Sequence, residues 1–223
     1  QGRLSEMVAD KYQYFPIHNW RKEFFVANQI GFNGIEWIIS DFSNPIFDQA
    51  SHNEIINLVE NTGVKISSIS LDLFMHKTLD LFSIDEIKWI LNSINIICKK
   101  IGLKRISFPI EETSGIRNPV TMNSVIKRLK EISFFTNSSD YKISIETDLS
   151  ALNAFNLLHR KNINNIGIVL DIGNSAANGY ELNSFFKRLP EKIYGIHIKD
   201  RLACCGPTVE LGKGSAEFDF LKK

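Results

Sequence analysis

Ile193-Tyr-Gly-Ile-His-Ile-Lys-Asp-Arg201 is an apolar run, too short for a helix, that ends in four polar or charged side chains. A run of this kind is typical of a buried parallel strand. Parallel sheets, whether open or closed into a barrel, bind ligands at the carboxyl ends of their strands. The stretch therefore predicts a site at its own end, where His197, Lys199, Asp200 and Arg201 are the candidates.

The rest of the chain alternates between the patterns of helices and strands. Helices are predicted at 20–30, 53–61, 84–101, 120–136, 151–160 and 182–189, and strands at 34–39, 64–71, 105–109, 142–146, 166–170 and from 193 onwards. This alternation predicts βαβ units and a parallel sheet. Since no linker or low-complexity tract divides the chain, we expect one domain over residues 1–223. Only six strands are visible, so an open doubly wound sheet is the alternative to a closed barrel.

Composition excludes several classes of protein. Apolar residues make up 43% of the chain, charged residues 23%, and the formal net charge is +1, so no overall field favours nucleic acid or acidic membranes. No stretch approaches the ~18 apolar residues of a membrane span, and the amino terminus lacks a signal-peptide pattern. The three cysteines, Cys98, Cys204 and Cys205, form neither a disulfide framework nor a metal-ligand spacing. A cytoplasmic location is the expectation.

Three successive strands end in groups that can bind a metal, namely Glu146, Asp171 and His197. Neighbouring parallel strands lie about 4.8 Å apart, so equivalent strand ends can converge on one cation. Two carboxylates and an imidazole suit Mn²⁺, Mg²⁺, Co²⁺ or Zn²⁺. The alternative for each residue taken singly is a helix cap or a solvated ion pair.

The chain resembles the xylose isomerase-like TIM barrel superfamily, in its sugar phosphate isomerase/epimerase branch, whose fold is shared with endonuclease IV. The stretches that carry the resemblance are Gln1-Gly-Arg-Leu-Ser5, Gly31-Phe-Asn-Gly-Ile-Glu36, Ile145-Glu-Thr-Asp148, Val169-Leu-Asp-Ile-Gly-Asn174, His197-Ile-Lys-Asp-Arg201 and Leu211-Gly-Lys-Gly214. The resemblance implies a (β/α)8 TIM barrel in which the visible strands are the second to the seventh. The first and last strands would then lie outside the sequence, and the domain would be incomplete at both ends.

The same resemblance implies a metal-dependent enzyme. Glu146, Asp171 and His197 match three of the four metal ligands of the superfamily, and the fourth is ordinarily a Glu at the end of the last strand. The implied reaction is isomerisation or epimerisation of a small sugar, sugar phosphate or polyol, by proton transfer next to a carbonyl through a metal-stabilised enediolate. Glu146 would act both as ligand and as the catalytic carboxylate.

Five further residues are candidates for substrate binding. Arg201 and Lys199 follow the strand that carries His197, and Asn174 takes the place where several relatives have a second His. Glu36 and Asp72 end earlier strands and could bond sugar hydroxyls, although a buried ion pair is an equal alternative for Glu36. Asp200 is expected to shape the loop.

Three other functions remain open at this point. An inosose-type dehydratase would use a similar barrel and cation, and a non-catalytic sugar-binding barrel would keep the pocket without the chemistry. An endonuclease IV-like repair nuclease is disfavoured because the chain lacks a basic footprint and has Asn174 where such nucleases carry other ligands. The expected partner is a small carbohydrate, with no nucleic acid and no membrane, and homo-oligomerisation is left open.

Overall fold

The structure is a computed structural model that describes residues 1–6 and 13–222. Its helices are α1 (Trp20–Gln29), α2 (His52–Thr62), α3 (Ile84–Lys100), α4 (Pro119–Phe135), α5 (Ala151–Leu158), α6 (Ile172–Ala177) and α7 (Leu182–Arg188). The strands of the main sheet are β1 (Gly34–Ile38), β2 (Lys65–Ser70), β3 (Arg105–Ile110), β4 (Lys142–Thr147), β5 (Ile166–Asp171) and β6 (Ile193–His197). All six predicted strands and all six predicted helices are confirmed. Helix α6 was not predicted.

The order of the strands identifies the topology. The six strands are hydrogen-bonded neighbours in the order of the chain, and the register pairs that connect β1 with β2, β2 with β3, β4 with β5, and β5 with β6 are parallel. A doubly wound sheet reverses its strand order at a switch point, whereas a TIM barrel does not. The fold is therefore of the TIM-barrel class, and the doubly wound alternative is wrong.

The two ends of helix α3 are determined by local sequence. The Ser83 side chain accepts a hydrogen bond from the Glu86 N–H, and the Glu86 carboxylate accepts one from the Ser83 N–H, which together form a capping box. Lys99 and Lys100 lie in the last turn, where a positive charge suits the helix dipole. None of the described helices has the length and apolar character needed to cross a membrane.

The chain forms two compact units. The first contains Gln1–Phe74, Ser83–Phe108 and Ser138–Lys142. Its core includes an aromatic cluster in which the ring centroids of Trp37 and Trp20 lie 5.4 Å apart and those of Trp37 and Phe15 lie 5.1 Å apart. These rings are almost completely buried, because β1 and α1 both turn their apolar faces inward.

The second unit contains Met75–Phe82, Pro109–Asn137 and Ile143–Lys223. Every residue of β5 is buried, as expected for a strand covered on both faces. Parallel pairing between β5 and β6 places Asp171 opposite His197. After β6, the predicted loop contains a small antiparallel pair, β7 (Asp200–Arg201) and β8 (Thr208–Val209).

Candidate metal centre

The second unit brings the three predicted metal ligands together. Glu146, Asp171 and His197 lie at or near the carboxyl ends of β4, β5 and β6, and their candidate ligand atoms all lie within 4.8 Å of one another. The Nδ1 atom of His197 is 3.0 Å from Oε1 of Glu146. Both carboxylates are largely buried, with 6% of Glu146 and 7% of Asp171 exposed. The strand-end argument from the sequence thus predicted a real cluster.

The cluster has the donors that a divalent cation needs. Two ligands that each bind Zn²⁺ at about 2.1 Å are at most about 4.2 Å apart, so the three donors lie nearly within reach of one ion. Two carboxylates and an imidazole form a mixed oxygen and nitrogen set that suits Mn²⁺, Mg²⁺, Co²⁺ or Zn²⁺. Buried carboxylates in close proximity repel each other, and a cation would neutralise that repulsion. The residues therefore fit a divalent metal.

Asp171 also caps a helix, which was the alternative to metal binding. Its Oδ1 accepts a hydrogen bond of 2.7 Å from the Asn174 N–H at the start of α6. Its Oδ2 is 3.8 Å from Nζ of Lys199. A carboxylate has two oxygens, so capping through one is compatible with metal binding through the other. The cap also fixes the orientation of the Asp171 side chain.

Asn174 makes hydrogen bonds to several charged side chains beside the metal cluster. Its side-chain Nδ2 donates to Oε2 of Glu111 at 2.7 Å, and its Oδ1 accepts from Nζ of Lys199 at 3.2 Å and from Nη1 of Arg201 at 2.9 Å. The residue is 4% exposed. Lys199, Arg201 and Asn174 were each predicted to bind substrate, and the structure brings all three together. That role stays a prediction.

Glu111 is the site residue that the sequence analysis missed. The predicted strand ended at Pro109 and left Glu111 in a loop, but β3 continues to Ile110, so Glu111 follows a strand end directly. Burial, and then the charges of Glu146 and Asp171, raise the pKa of Glu111 to about 9. Its carboxyl group is therefore protonated at neutral pH. A strand boundary one residue longer would have revealed it.

Asp200 shapes the loop that follows β6. Its carboxylate accepts hydrogen bonds from the N–H groups of Gly212, Gly214 and Ala216, at 2.9, 2.8 and 3.0 Å. Burial alone would raise the pKa of Asp200, but these N–H donors outweigh it and lower the pKa below its ordinary value. The expected loop-shaping role is confirmed.

Glu36 and Asp72 belong to the first unit and make hydrogen bonds there. The Ser68 hydroxyl donates to Oε1 of Glu36 at 2.6 Å, and Nη2 of Arg105 is 3.6 Å from the same oxygen. This is the ion pair that the sequence analysis gave as the alternative. Asp72 accepts hydrogen bonds from Ser70 at 2.6 Å and from Gln13 at 2.8 Å. Substrate binding by either residue stays a prediction.

A cavity of about 210 Å³ adjoins the metal cluster within the second unit. Asn174, which is hydrogen-bonded to Asp171, forms part of its wall. The lining residues are Glu111, Glu112, Arg117, Asp148, Asn174, Ala177, Asn178, Arg201 and Cys205. Their polar groups suit a small hydrophilic ligand.

Several solved structures share this fold. The probable 3-DHS dehydratase AsbF from Bacillus anthracis has a TM-score of 0.71 and 16% identity over 94% of this chain and 83% of its own. The 3-keto-D-glucoside 4-epimerase YcjR from E. coli has a TM-score of 0.70 and 15% identity over 94% and 82%. The IOLI protein, solved with a zinc atom, has a TM-score of 0.70 and 19% identity over 89% and 76%. At these identities the likeness establishes the fold.

The sequence itself places the chain in a family. No curated protein matches it significantly. Residues 24–223, however, match the family model for the xylose isomerase-like TIM barrel. This match covers most of the chain and agrees with the strand order and with the similar structures. The chain belongs to the xylose isomerase-like TIM barrel family.

Proposed function

We propose that the protein is a divalent-metal-dependent isomerase or epimerase of a small sugar, sugar phosphate or polyol. The observation that supports the proposal is the convergence of Glu146, Asp171 and His197 within 4.8 Å at the ends of three strands. Such a cluster can hold a cation beside a carbonyl. The adjoining cavity offers space and polar groups for the rest of a small hydrophilic substrate.

The reaction requires removal of a proton from the carbon next to a carbonyl. A bound divalent cation would polarise the carbonyl and stabilise the negative charge that develops there. Glu146 is the proposed base, because it is a buried carboxylate held against His197 at 3.0 Å and lies within the cluster. Asp171 holds its position through its hydrogen bond to Asn174.

A dehydratase is the second candidate, and it uses the same first step. Loss of a proton next to a carbonyl can be followed by return of the proton to another face or carbon, or by expulsion of a neighbouring hydroxyl. Solved structures with this fold include a 3-keto-D-glucoside 4-epimerase and a probable 3-DHS dehydratase. Burial raises the pKa of Glu111, so this carboxyl group is the candidate proton donor to a leaving hydroxyl, and this observation keeps the dehydratase as the second candidate.

Solvent exchange tests the shared first step. The full-length protein, loaded separately with Mn²⁺, Mg²⁺, Co²⁺ or Zn²⁺, is incubated in deuterated water with D-fructose, D-tagatose, D-xylulose and their phosphate esters. We expect deuterium at a carbon next to the carbonyl of at least one substrate, and formation of an unsaturated product would identify the dehydratase. Glu146→Gln is expected to reduce exchange by about 10²–10⁴-fold, as removal of a general base does.

The matched control is Glu191→Gln, which makes the same chemical change at an exposed position outside the cavity. We expect this variant to keep most of the exchange activity. If no metal supports exchange or elimination with any substrate, the proposed function is wrong, and a non-catalytic sugar-binding barrel becomes the better description. Cleavage of a DNA duplex with an abasic site would instead favour the nuclease.

The cellular location and the binding partner of the protein are part of the same proposal. We infer a cytoplasmic location, because the three cysteines are free and two of them, Cys204 and Cys205, are exposed thiols that a reducing compartment would preserve. The proposed partner is a small carbohydrate.

A further inference from the structure

A groove of about 320 Å³ in the second unit is lined by cationic side chains. The lining residues are Asn123, Ile126, Lys127, Lys130 and Arg160. The first four lie within two turns of α4, at spacings of three and four residues that place them on one face, and Arg160 follows the end of α5. None of them belongs to the metal cluster or to the cavity beside it. The groove therefore has to be explained by its own chemistry.

The three cations of the groove have no anionic partner. Among the residues that the structure describes, no carboxylate lines the groove or lies within 4.0 Å of the nitrogen atoms of these side chains. Glu131 is the one acidic residue of α4, and it pairs with Arg128 at 2.5 Å. Over α4 and residues 151–161 the sequence has five Lys and Arg residues and one acidic residue, whereas the whole chain has a net charge of +1. Positive charge is therefore concentrated here and is not neutralised locally.

The hydrogen-bond donors of these cations are also available to a ligand. Lys127 and Arg160 are exposed, and Lys130 is half-buried. The two ammonium groups make no hydrogen bond to any described residue, so each offers three N–H donors. Arg160 donates from Nε to the carbonyl oxygen of Asn156 at 3.0 Å, and this contact leaves both Nη groups available. A planar guanidinium with two available amino groups can bind two oxygens of one phosphate.

A phosphate group suits this arrangement better than other anions. Cations that line one concave site focus a positive potential, and a dianion would relieve their mutual repulsion. A phosphate monoester carries about 1.5 to 2 negative charges at neutral pH and presents acceptor oxygens to the donors of the lining. A carboxylate has one charge and two oxygens, so it satisfies fewer donors. Because the chain as a whole is nearly neutral and lacks the charge footprint of a nucleic-acid-binding protein, the phosphate should belong to a small molecule.

We propose that this groove binds the phosphate group of a small phosphorylated metabolite, with Lys127, Lys130 and Arg160 as the phosphate-binding residues. Ile126 offers an apolar surface to the rest of the molecule, and Asn123 offers an amide that can donate or accept a hydrogen bond. The volume of about 320 Å³ lies at the lower end of the ~300–1,000 Å³ of small-molecule sites, as expected for a compact ligand. The proposal is independent of the proposed function, because the groove and the metal cluster share no residue.

Calorimetric titration of the full-length, metal-free protein tests the proposal, since a divalent cation would itself bind phosphate. The probes are inorganic phosphate, pyrophosphate, glycerol 3-phosphate and adenosine 5′-monophosphate, and the uncharged controls are glycerol and adenosine. We expect at least one phosphorylated probe to bind with a dissociation constant below about 1 mM at low salt, and neither uncharged control to bind. The affinity should fall as the chloride concentration is raised, because salt screens the attraction between exposed charges.

Lys127→Gln and Arg160→Gln test the predicted contacts. Each variant removes a charge-assisted hydrogen bond, so we expect each to bind the tightest probe about 5-fold or more weakly than the unsubstituted protein does. Lys161→Gln is the matched control, because it removes an exposed positive charge beside Arg160 but outside the lining. This control should weaken binding by less than about 2-fold, as the loss of a distant, solvent-screened charge does.

Arg201→Gln distinguishes the groove from the cavity beside the metal cluster, whose lining includes Arg201. We expect this variant to keep the affinity for the tightest probe. Three results would overturn the inference: no binding of any phosphorylated probe, equal affinities in Lys127→Gln, Arg160→Gln and Lys161→Gln, or loss of affinity in Arg201→Gln alone. Deuterium exchange tests the proposed function separately, so failure of one proposal leaves the other intact.

Discussion

Glu111 combines burial with two carboxylate neighbours, and this makes the metal-free site sensitive to pH. Its pKa of about 9 lies far above the ordinary value near 4.5. Between about pH 4.5 and pH 9, Glu111 keeps its proton in the folded state and loses it in the unfolded state. The contribution of Glu111 to stability is therefore complete below about pH 4.5 and is lost as the pH rises toward 9.

We predict that the free energy of unfolding of the metal-free protein decreases between pH 5 and pH 9. The limiting slope for one such group is about 1.4 kcal/mol per pH unit. Glu111→Gln cannot ionise and should remove most of this slope, because the amide remains neutral and can still accept a hydrogen bond from Asn174. Urea denaturation at several pH values measures the effect.

Glu191→Gln is the control, since Glu191 is an exposed carboxylate whose charge is not among those that raise the pKa of Glu111. Its stability profile should follow that of the unsubstituted protein. Equal slopes for all three proteins would show that Glu111 does not retain its proton in the folded state.

At the scale of elements, α6 must approach the end of β6 closely. A Cβ atom on Gly173 would lie 2.8 Å from the carbonyl oxygen of Lys199 and 2.9 Å from its carbonyl carbon. Backbone atoms cannot yield as a flexible side chain does. Glycine at this position therefore lets Asp171, at the start of α6, lie opposite His197.

We predict that Gly173→Ala destabilises the protein by about 1–3 kcal/mol, the usual cost of overpacking. It should also weaken metal binding, because the shift of α6 changes the position of the Asp171 carboxylate. Denaturation and calorimetric titration with Mn²⁺ measure the two effects. Ala176→Ser, a small change on the same helix, should alter both by much less, and unchanged metal affinity in Gly173→Ala would contradict the argument.

The loop after β8 depends on a single carboxylate. Asp200 accepts the N–H groups of Gly212, Gly214 and Ala216, and hydrogen bonds to charged groups contribute about 1.5–3 kcal/mol each at most. Because these donors lower the pKa of Asp200, its contribution is present above the ordinary pKa and is lost as the pH falls.

We predict that Asp200→Asn loosens residues 210–216, since an amide replaces one acceptor oxygen with a donor. Limited proteolysis should cleave this loop several-fold faster than in the unsubstituted protein. Glu210→Gln changes an exposed carboxylate in the same loop and serves as the control. Equal cleavage rates for both variants would show that Asp200 does not hold the loop.

At the scale of the whole molecule, a ligand that binds only the folded state stabilises it. We predict that Mn²⁺ or Zn²⁺ at 100 times its dissociation constant raises the free energy of unfolding by about 2.7 kcal/mol. Asp171→Asn should lose most of this gain, whereas Asp85→Asn, at an exposed position on α3, should keep it. Thermal melting with and without metal measures the effect. The same gain in Asp171→Asn would place the metal elsewhere.

The sequence by itself determined the elements and the principal ligands. Apolar runs such as 166–170 predicted strands, because burial on both faces leaves no polar positions, and Ser83 set the start of α3 through its capping box. Glu146, Asp171 and His197 were found because each follows such a run. Local periodicity and strand-end position are properties of short stretches of chain, so they could be predicted without the tertiary structure.

Only the tertiary structure decided how distant residues combine. Strand order excluded the doubly wound sheet, and no local pattern encodes which strands become neighbours. The contact between Asn174 and Glu111 joins residues 63 positions apart, and the pKa of Glu111 is raised by Glu146 and Asp171, which the fold brings close to it. Burial and electrostatic interactions depend on every group nearby in space. The sequence therefore identified the candidate metal ligands, and the fold decided which side chains surround them.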